Sequence, residues 1–244
     1  MFPGLGTVIN ISSILLGSLL GILIGKKLDE KLRKLVTDVL GCVTVISAAD
    51  ALSSYWDESL QDALPSGWPI LVLVFSLVLG ALIGSWLGIE DQLELIGVKL
   101  KSRFNRAGDS TFVEGFVSSS LIFGIGPLAI LGSISDGMGT GIDQLLLKST
   151  LDGFTSIAFA ASLGIGVALS SLPVGIYQFA WTAVGLFLGS ILDQYQIAAM
   201  TAVGGVLLIG ISLRLLRIRE IAVANLLPAL AVAPLFALFA HHYV

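Results

Sequence analysis

Lys148 and Asp152 stand four residues apart in a largely apolar stretch, a spacing that puts both side chains on one face of a helix. An ionised carboxylate inside a membrane costs several kcal/mol unless it is paired, hydrated or protonated, so an acid retained there needs a reason. Two readings stay open. Either the lysine and aspartate simply neutralise each other at a polar helix end, or Asp152, Thr155 and Ser156 build a site for a cation or a proton. At 1.5 Å per residue Asp152 lies about 13 Å from the outer end of its helix. The residue pattern around it also recurs. Glu114-Gly115-Phe116-Val117-Ser118 precedes Gly124-Ile125-Gly126, and Asp152-Gly153-Phe154-Thr155-Ser156 precedes Gly164-Ile165-Gly166. Each has an acid, Gly, Phe and a hydroxyl, then a glycine break. Oppositely directed, glycine-interrupted helices are where secondary transporters bind ions and solutes, because unwound backbone and helix ends supply ligands there. Gly124, Gly126, Gly164 and Gly166 are therefore expected helix breaks. Glu114 is a second candidate ion-binding carboxylate, although it lies nearer its interface, where solvation also explains it; Ser118, Ser119 and Ser120 line a path or bond back to their own helix.

Further polar groups fall inside apolar runs. Asp50 lies about two turns from Tyr55-Trp56, which reads as an interfacial aromatic belt. Asn10 has Ser12 and Ser13 beside it, and Asn225 precedes Pro228 and Pro234, whose rings free backbone carbonyls for an ion or water. Interhelical hydrogen bonding is the other use of such asparagines. Asp136, in Ser135-Asp136-Gly137-Met138-Gly139-Thr140-Gly141, reads as a loop residue, either plainly solvated or part of a cation-attracting vestibule. His241 and His242 suit an interfacial anchor, and the one cysteine, Cys42, suits packing. No phosphate loop, HExxH pair, Ser/His/Asp or Cys/His set and no metal-ligand cluster is present, so an enzyme is not expected. No cofactor is expected beyond Na⁺ or H⁺ as a coupling ion.

These residues need membrane helices to position them. The 244 residues are 55% hydrophobic and 12% charged, with a mean hydropathy of +0.96, which no water-soluble domain could cover with polar surface. Net charge of −4 and the lack of a basic stripe exclude a nucleic-acid partner. Runs such as Ile70-Leu71-Val72-Leu73-Val74-Phe75 lack the alternation of a β-barrel strand. The fold class is therefore all-α, a polytopic transmembrane bundle of about eight spans: 3–25, 35–56, 69–89, 111–134, 143–171, 174–192, 197–214 and 221–243. No basic residue precedes the first apolar stretch, so it reads as a retained span, not a cleaved leader. Twelve of the thirteen basic residues follow the first, third and seventh spans, which places those loops in the cytoplasm and both termini outside it. Leucines at helical spacing among the charges of 26–35 and 90–106 predict interfacial amphipathic helices that hold adjacent spans, or that meet lipid head groups.

Glycine, 28 of 244 residues, recurs in fours at Gly17/Gly21/Gly25, Gly80/Gly84/Gly88 and Gly185/Gly189, the spacing that lets membrane helices approach closely. The first two ladders predict tight helix pairs within one subunit or across a homo-oligomer. Their offset of 63 residues suggests repeat units 8–62 and 71–135 within a single membrane domain, 1–244, or convergence of two similar faces. The opening Met-Phe-Pro-Gly-Leu-Gly-Thr-Val-Ile-Asn, the ladder followed by Lys26-Lys27, and Glu114-Gly115-Phe116 with Gly124-Ile125-Gly126-Pro127 resemble the domain of unknown function 554 family, YdfK/YqgA-like bacterial inner-membrane proteins. The resemblance covers the whole length, implies a multi-span protein of the bacterial cytoplasmic membrane, and transfers no functional residue. The residues themselves point to a secondary transporter or ion-coupled carrier of a small solute or cation. A non-transporting scaffold or accessory subunit, or a channel, is the alternative.

Overall fold

In a computed structural model the described residues are 2–25, 29–103, 111–125, 127–188 and 192–243, and they form helices and turns with no strand among them. The helices are α1 (Leu5–Gly25), α2 (Glu30–Ser53), α3 (Glu58–Ala63), α4 (Trp68–Leu87), α5 (Ile89–Arg103), α6 (Phe112–Gly124), α7 (Pro127–Met138), α8 (Asp143–Leu163), α9 (Gly166–Leu169), α10 (Ser171–Leu188), α11 (Gln194–Leu215) and α12 (Ala229–Tyr243). Short 3₁₀ turns occupy Ser54–Trp56 and Val223–Leu226. Among the described residues six segments are long and apolar enough to cross a membrane: Leu5–Gly25, Glu30–Ala63, Trp68–Leu87, Gly166–Phe187, Gln194–Leu215 and Val223–Tyr243. The pair α6 and α7, bent by 60° at the break between them, makes a seventh. The expected fifth span, 143–171, is the correction. Its helix α8 has 21 residues but carries Asp143, Lys148 and Asp152, and it stops at Leu163. Gly164 then takes a φ of +79°, a left-handed value that only glycine adopts without strain.

The helices turn large apolar side chains outward, as a lipid solvent demands. Leu16, Leu19, Leu20, Leu23 and Ile24 on α1 and Val78, Leu82 and Trp86 on α4 are exposed. Cys42, expected to pack, is exposed on α2 among outward-facing valines. The stretch 26–35 is not a separate interfacial helix: residues 30–35 begin α2 itself, while Lys26 and Lys27 lie outside the described residues. The second expected interfacial segment, 90–106, is α5 as far as Arg103, and Arg106 also lies outside the described residues.

The chain forms two compact units, Met1–Leu40 with Leu93–Ile191 and Gly41–Gln92 with Leu192–Val244. This division differs from repeats 8–62 and 71–135. In unit 1, α1 runs parallel to α8: β-carbons on Gly17, Gly21 and Gly25 would overlap the carbonyl oxygens of Gly153, Ile157 and Ala161 in turn. Both rows advance by four residues, so the backbones stay in contact for two turns, and only residues without side chains permit it. In unit 2, α4 runs against the final segment in the opposite sense. Gly80 meets the backbone of Ala229, and Gly84 meets the carbonyl of Asn225. Gly88, the third rung, packs against nothing close and instead ends α4 with a φ of +62°. Both ladder faces are thus covered by their own chain, which corrects the expectation of a homo-oligomer through those faces. Gly185 likewise meets Ile134 of α7, and Gly189 lies outside the described residues.

Candidate functional site

The parallel register of α1 and α8 sets the centre of unit 1. Lys148 and Asp152 are 5% and 7% exposed, and Lys148 Nζ donates to Asp152 Oδ2 at 2.7 Å. Across the helix contact, Ser13 Oγ donates to the Ser149 carbonyl at 2.6 Å. Asn10 is fully buried beside Asp152, yet neither its amide nitrogen nor its amide oxygen makes a hydrogen bond of good geometry. A buried amide left so costs about 1–3 kcal/mol. Thr7 on the same face of α1 and Gln178 on α10 are also fully buried with unbonded side-chain oxygen or nitrogen atoms. Gln178 comes near this part of α1 because α10 packs antiparallel to it. A β-carbon on Gly4 would contact Phe179, and one on Gly175 would contact Ile11.

Gly115 of α6 packs on Leu163 and Gly132 of α7 packs on Leu145, so the two segments pass antiparallel along α8, with the break between them lying between those two contacts. Ile125 is extended, with φ −82° and ψ 128°, and a β-carbon on Gly124 would meet nothing within 4 Å. The break at 124–125 is therefore both unwound and roomy. Gly126 lies outside the described residues. On the other side the break is at Gly164 and Ile165. Gly166 is not part of it: Gly166 begins α9 and presses against the Phe112 carbonyl, so it is a packing glycine.

The remaining expected residues divide clearly. Ser118 and Ser119 on α6 are fully buried with unbonded hydroxyls, whereas Ser120 donates to the Phe116 carbonyl at 2.6 Å. Ser156 is buried at the α1 contact and donates to the Gly153 carbonyl at 2.8 Å. Thr155 is half-buried on the adjoining face. Glu114 is half-buried in the first turn of α6, where the helix N-terminus favours a negative charge. The two recurring patterns do not occupy equivalent environments. Phe116 is 0% exposed and Phe154 is 72% exposed, and Asp152 is buried mid-helix where Glu114 is near a helix start.

Asp50 and Asn225 belong to unit 2. Asp50 is exposed on α2. Asn225, expected as an ion ligand or interhelical link, takes the second role: its Oδ1 accepts from the Glu90 backbone N–H at 2.9 Å. Glu90 is buried there, with Oε2 accepting from the Ala224 N–H at 2.7 Å and Oε1 paired with Arg214 Nη1. This clasp ties the start of α5 to α11 and the Val223–Leu226 turn. His241 anchors in turn, with Nδ1 2.8 Å from the Ala63 carbonyl and its ring 4.9 Å from that of Tyr195. Sequence reasoning did not find the Glu90–Arg214 clasp, nor Thr7 and Gln178. It also misplaced Asp136. That residue is helical in α7 and buried, and its Oδ2 accepts from the Gly6 N–H at 2.9 Å, which caps the start of α1. A charge that far from its partner in sequence leaves no local signal.

The family model described as "Protein of unknown function (DUF554)" matches residues 5–238. The chain belongs to this family. Two DUF554 relatives match along nearly their whole lengths. "Uncharacterized protein YqgA" of Escherichia coli (strain K12) is 32% identical over 235 residues, 94% of each chain. "Uncharacterized membrane protein YdfK" of Bacillus subtilis (strain 168) is 28% identical over 238 residues, 98% of this chain and 97% of the relative. No solved structure matches. Apolar helices of spanning length and membership of DUF554 together make this a membrane protein.

Proposed function

We propose that the chain is a secondary transporter or ion-coupled carrier of a small solute in the bacterial cytoplasmic membrane, without a catalytic step. The observation that carries this reading is the set of buried, unbonded polar groups in unit 1. Thr7, Asn10, Ser118, Ser119 and Gln178 keep side-chain atoms without partners in the unit that also holds a buried ion pair and an unwound helix segment. In a membrane, polar groups of this kind belong to ion and solute pathways, where water or the cargo satisfies them. A scaffold has less support, since both glycine ladders are already occupied within the chain. The basic residues favour both termini outside the cytoplasm. The parallel run of α1 and α8 favours counting α8 as a further crossing, because parallel spans need an odd number of crossings between them and α2, α4 and the bent α6–α7 pair supply three; with eight crossings both ends fall on one side.

Uptake of pooled small solutes into proteoliposomes under an imposed H⁺ or Na⁺ gradient tests the reading, with Asp152→Asn alongside. The expected result is gradient-dependent uptake in the natural chain and none in the folded variant. Absence of uptake across the pool in folded natural protein overturns the carrier and leaves a non-transporting component.

A further inference from the structure

The ion pair itself limits what can bind at Asp152. We infer that Asp152 takes up a proton, not a metal cation, and that its protonation releases the Lys148 ammonium to hold an anionic group of the solute. The inference deepens the carrier reading and rests on it.

Lys148 Nζ already stands 2.7 Å from Asp152 Oδ2. Na⁺ binding to that carboxylate would sit against a fixed ammonium in a poorly screened interior, and it would need several more oxygen ligands around it. A proton has neither requirement. Bound at Asp152 Oδ2, it turns the carboxylate into an acid while Lys148 keeps all its own protons, so the pair passes from neutral to a charge of +1. Asn10 suits both states, because its amide nitrogen can donate to the carboxylate and its amide oxygen can accept from the acid.

Among the described residues Asp152 is the one carboxylate within 4 Å of the Lys148 ammonium, so its protonation leaves that ammonium without an ion-pair partner. Among the described residues α1 and α9 carry no titratable group, and α6 carries only Glu114, near Leu163 at the far end of α8. On α7, Asp136 is bonded to the start of α1. On α8 itself Asp143 is in the exposed first turn. α2 touches α8 through Thr37 and Ser162, ten residues beyond Asp152, where Lys34 and Asp38 are the nearest charges. A buried, uncompensated ammonium is costly, so a monoanion arriving with the proton restores neutrality. Each ligand then raises the affinity of the other, which is the coupling a cotransporter needs. Asn10, Thr7 and Gln178 supply spare hydrogen-bond donors for anion oxygens.

Infrared titration of the reconstituted full chain tests this without transport. The carboxylic-acid carbonyl band is followed against pH in choline chloride, sodium chloride, and the choline salts of formate, lactate and nitrate. Asp152→Asn, Asp136→Asn and the double variant Lys148→Met/Asp152→Asn are run in parallel. The expected result is a titrating band lost in both Asp152 variants and kept in Asp136→Asn. At least one anion strengthens proton binding about tenfold, and Na⁺ leaves it unchanged. Displacement of the proton by Na⁺, or no response to any of the three anions, overturns the inference. A linked proton and anion in a protein that shows no uptake would instead overturn the carrier reading alone. The double variant, which leaves no unpaired charge, guards against loss of signal through misfolding.

Discussion

Two largely buried ion pairs among the described residues are built to opposite ends. In unit 2 the Glu90 carboxylate is satisfied on both oxygens, by Arg214 and by the Ala224 N–H, and its own backbone N–H is held by Asn225. In unit 1 Lys148 and Asp152 have each other, and the amide beside them is unbonded. A fully satisfied pair is architecture, since moving any part of it strands another. An under-satisfied pair can exchange partners at little cost, which is what a binding site requires. The glycine ladders teach a related lesson. Equal spacing on α1 and α4 gives a parallel helix pair in one unit and an antiparallel contact in the other, with Gly25 a rung and Gly88 a helix end.

Removing the charges of each pair together breaks or sharpens the first comparison most strongly. Lys148→Met/Asp152→Asn is expected to change stability by less than about 1 kcal/mol while abolishing uptake, since apolar replacement of a buried pair is often neutral. Glu90→Gln alone is expected to cost about 3–5 kcal/mol because it breaks a largely buried ion pair whose carboxylate also accepts from the Ala224 N–H. Denaturant melts of the purified proteins in detergent compare the two; equal losses would erase the distinction between site and clasp. Gly21→Ala is next, at about 1–3 kcal/mol, because its methyl meets the Ile157 carbonyl and Ala160, whereas Gly124→Ala, with open space, is expected to stay within about 0.5 kcal/mol. Thermal unfolding of the two variants against natural protein decides it. The smallest effect is at Asp57, which caps α3. The Ser59 hydroxyl and then the Ser59 N–H donate to its carboxylate and hold it below the usual range. That stabilisation is present above the unfolded-state value and lost as pH falls through the folded one. The melting-temperature gap between natural protein and Asp57→Ala is therefore expected to be small at neutral pH and to close in acid.

Residues close in sequence were legible because a helix fixes their geometry in advance. The Lys148–Asp152 pair follows from a spacing of four, and the α6–α7 break follows from glycines ahead of Pro127. The break at Gly164 was foreseen as well, but not the packing of Gly166 on Phe112, which depends on a helix some fifty residues away. The matching acid-Gly-Phe patterns suggested equivalence, and burial separates them, because a pattern says nothing of which neighbours a face will meet.

Composition and periodicity alone thus settled a helical membrane protein: apolar runs of spanning length admit few other structures in a lipid solvent. Tertiary packing decided which polar groups were spent and which were spare. Asp136 went to cap α1, Asn225 to cap α5 and Ser156 to its own backbone, while Asn10, Thr7 and Gln178 were left unbonded in unit 1. The physical reason is that hydrogen bonds are satisfied in three dimensions. A side chain's partner, or its lack of one, is a property of the helices it meets and not of the residues beside it in sequence.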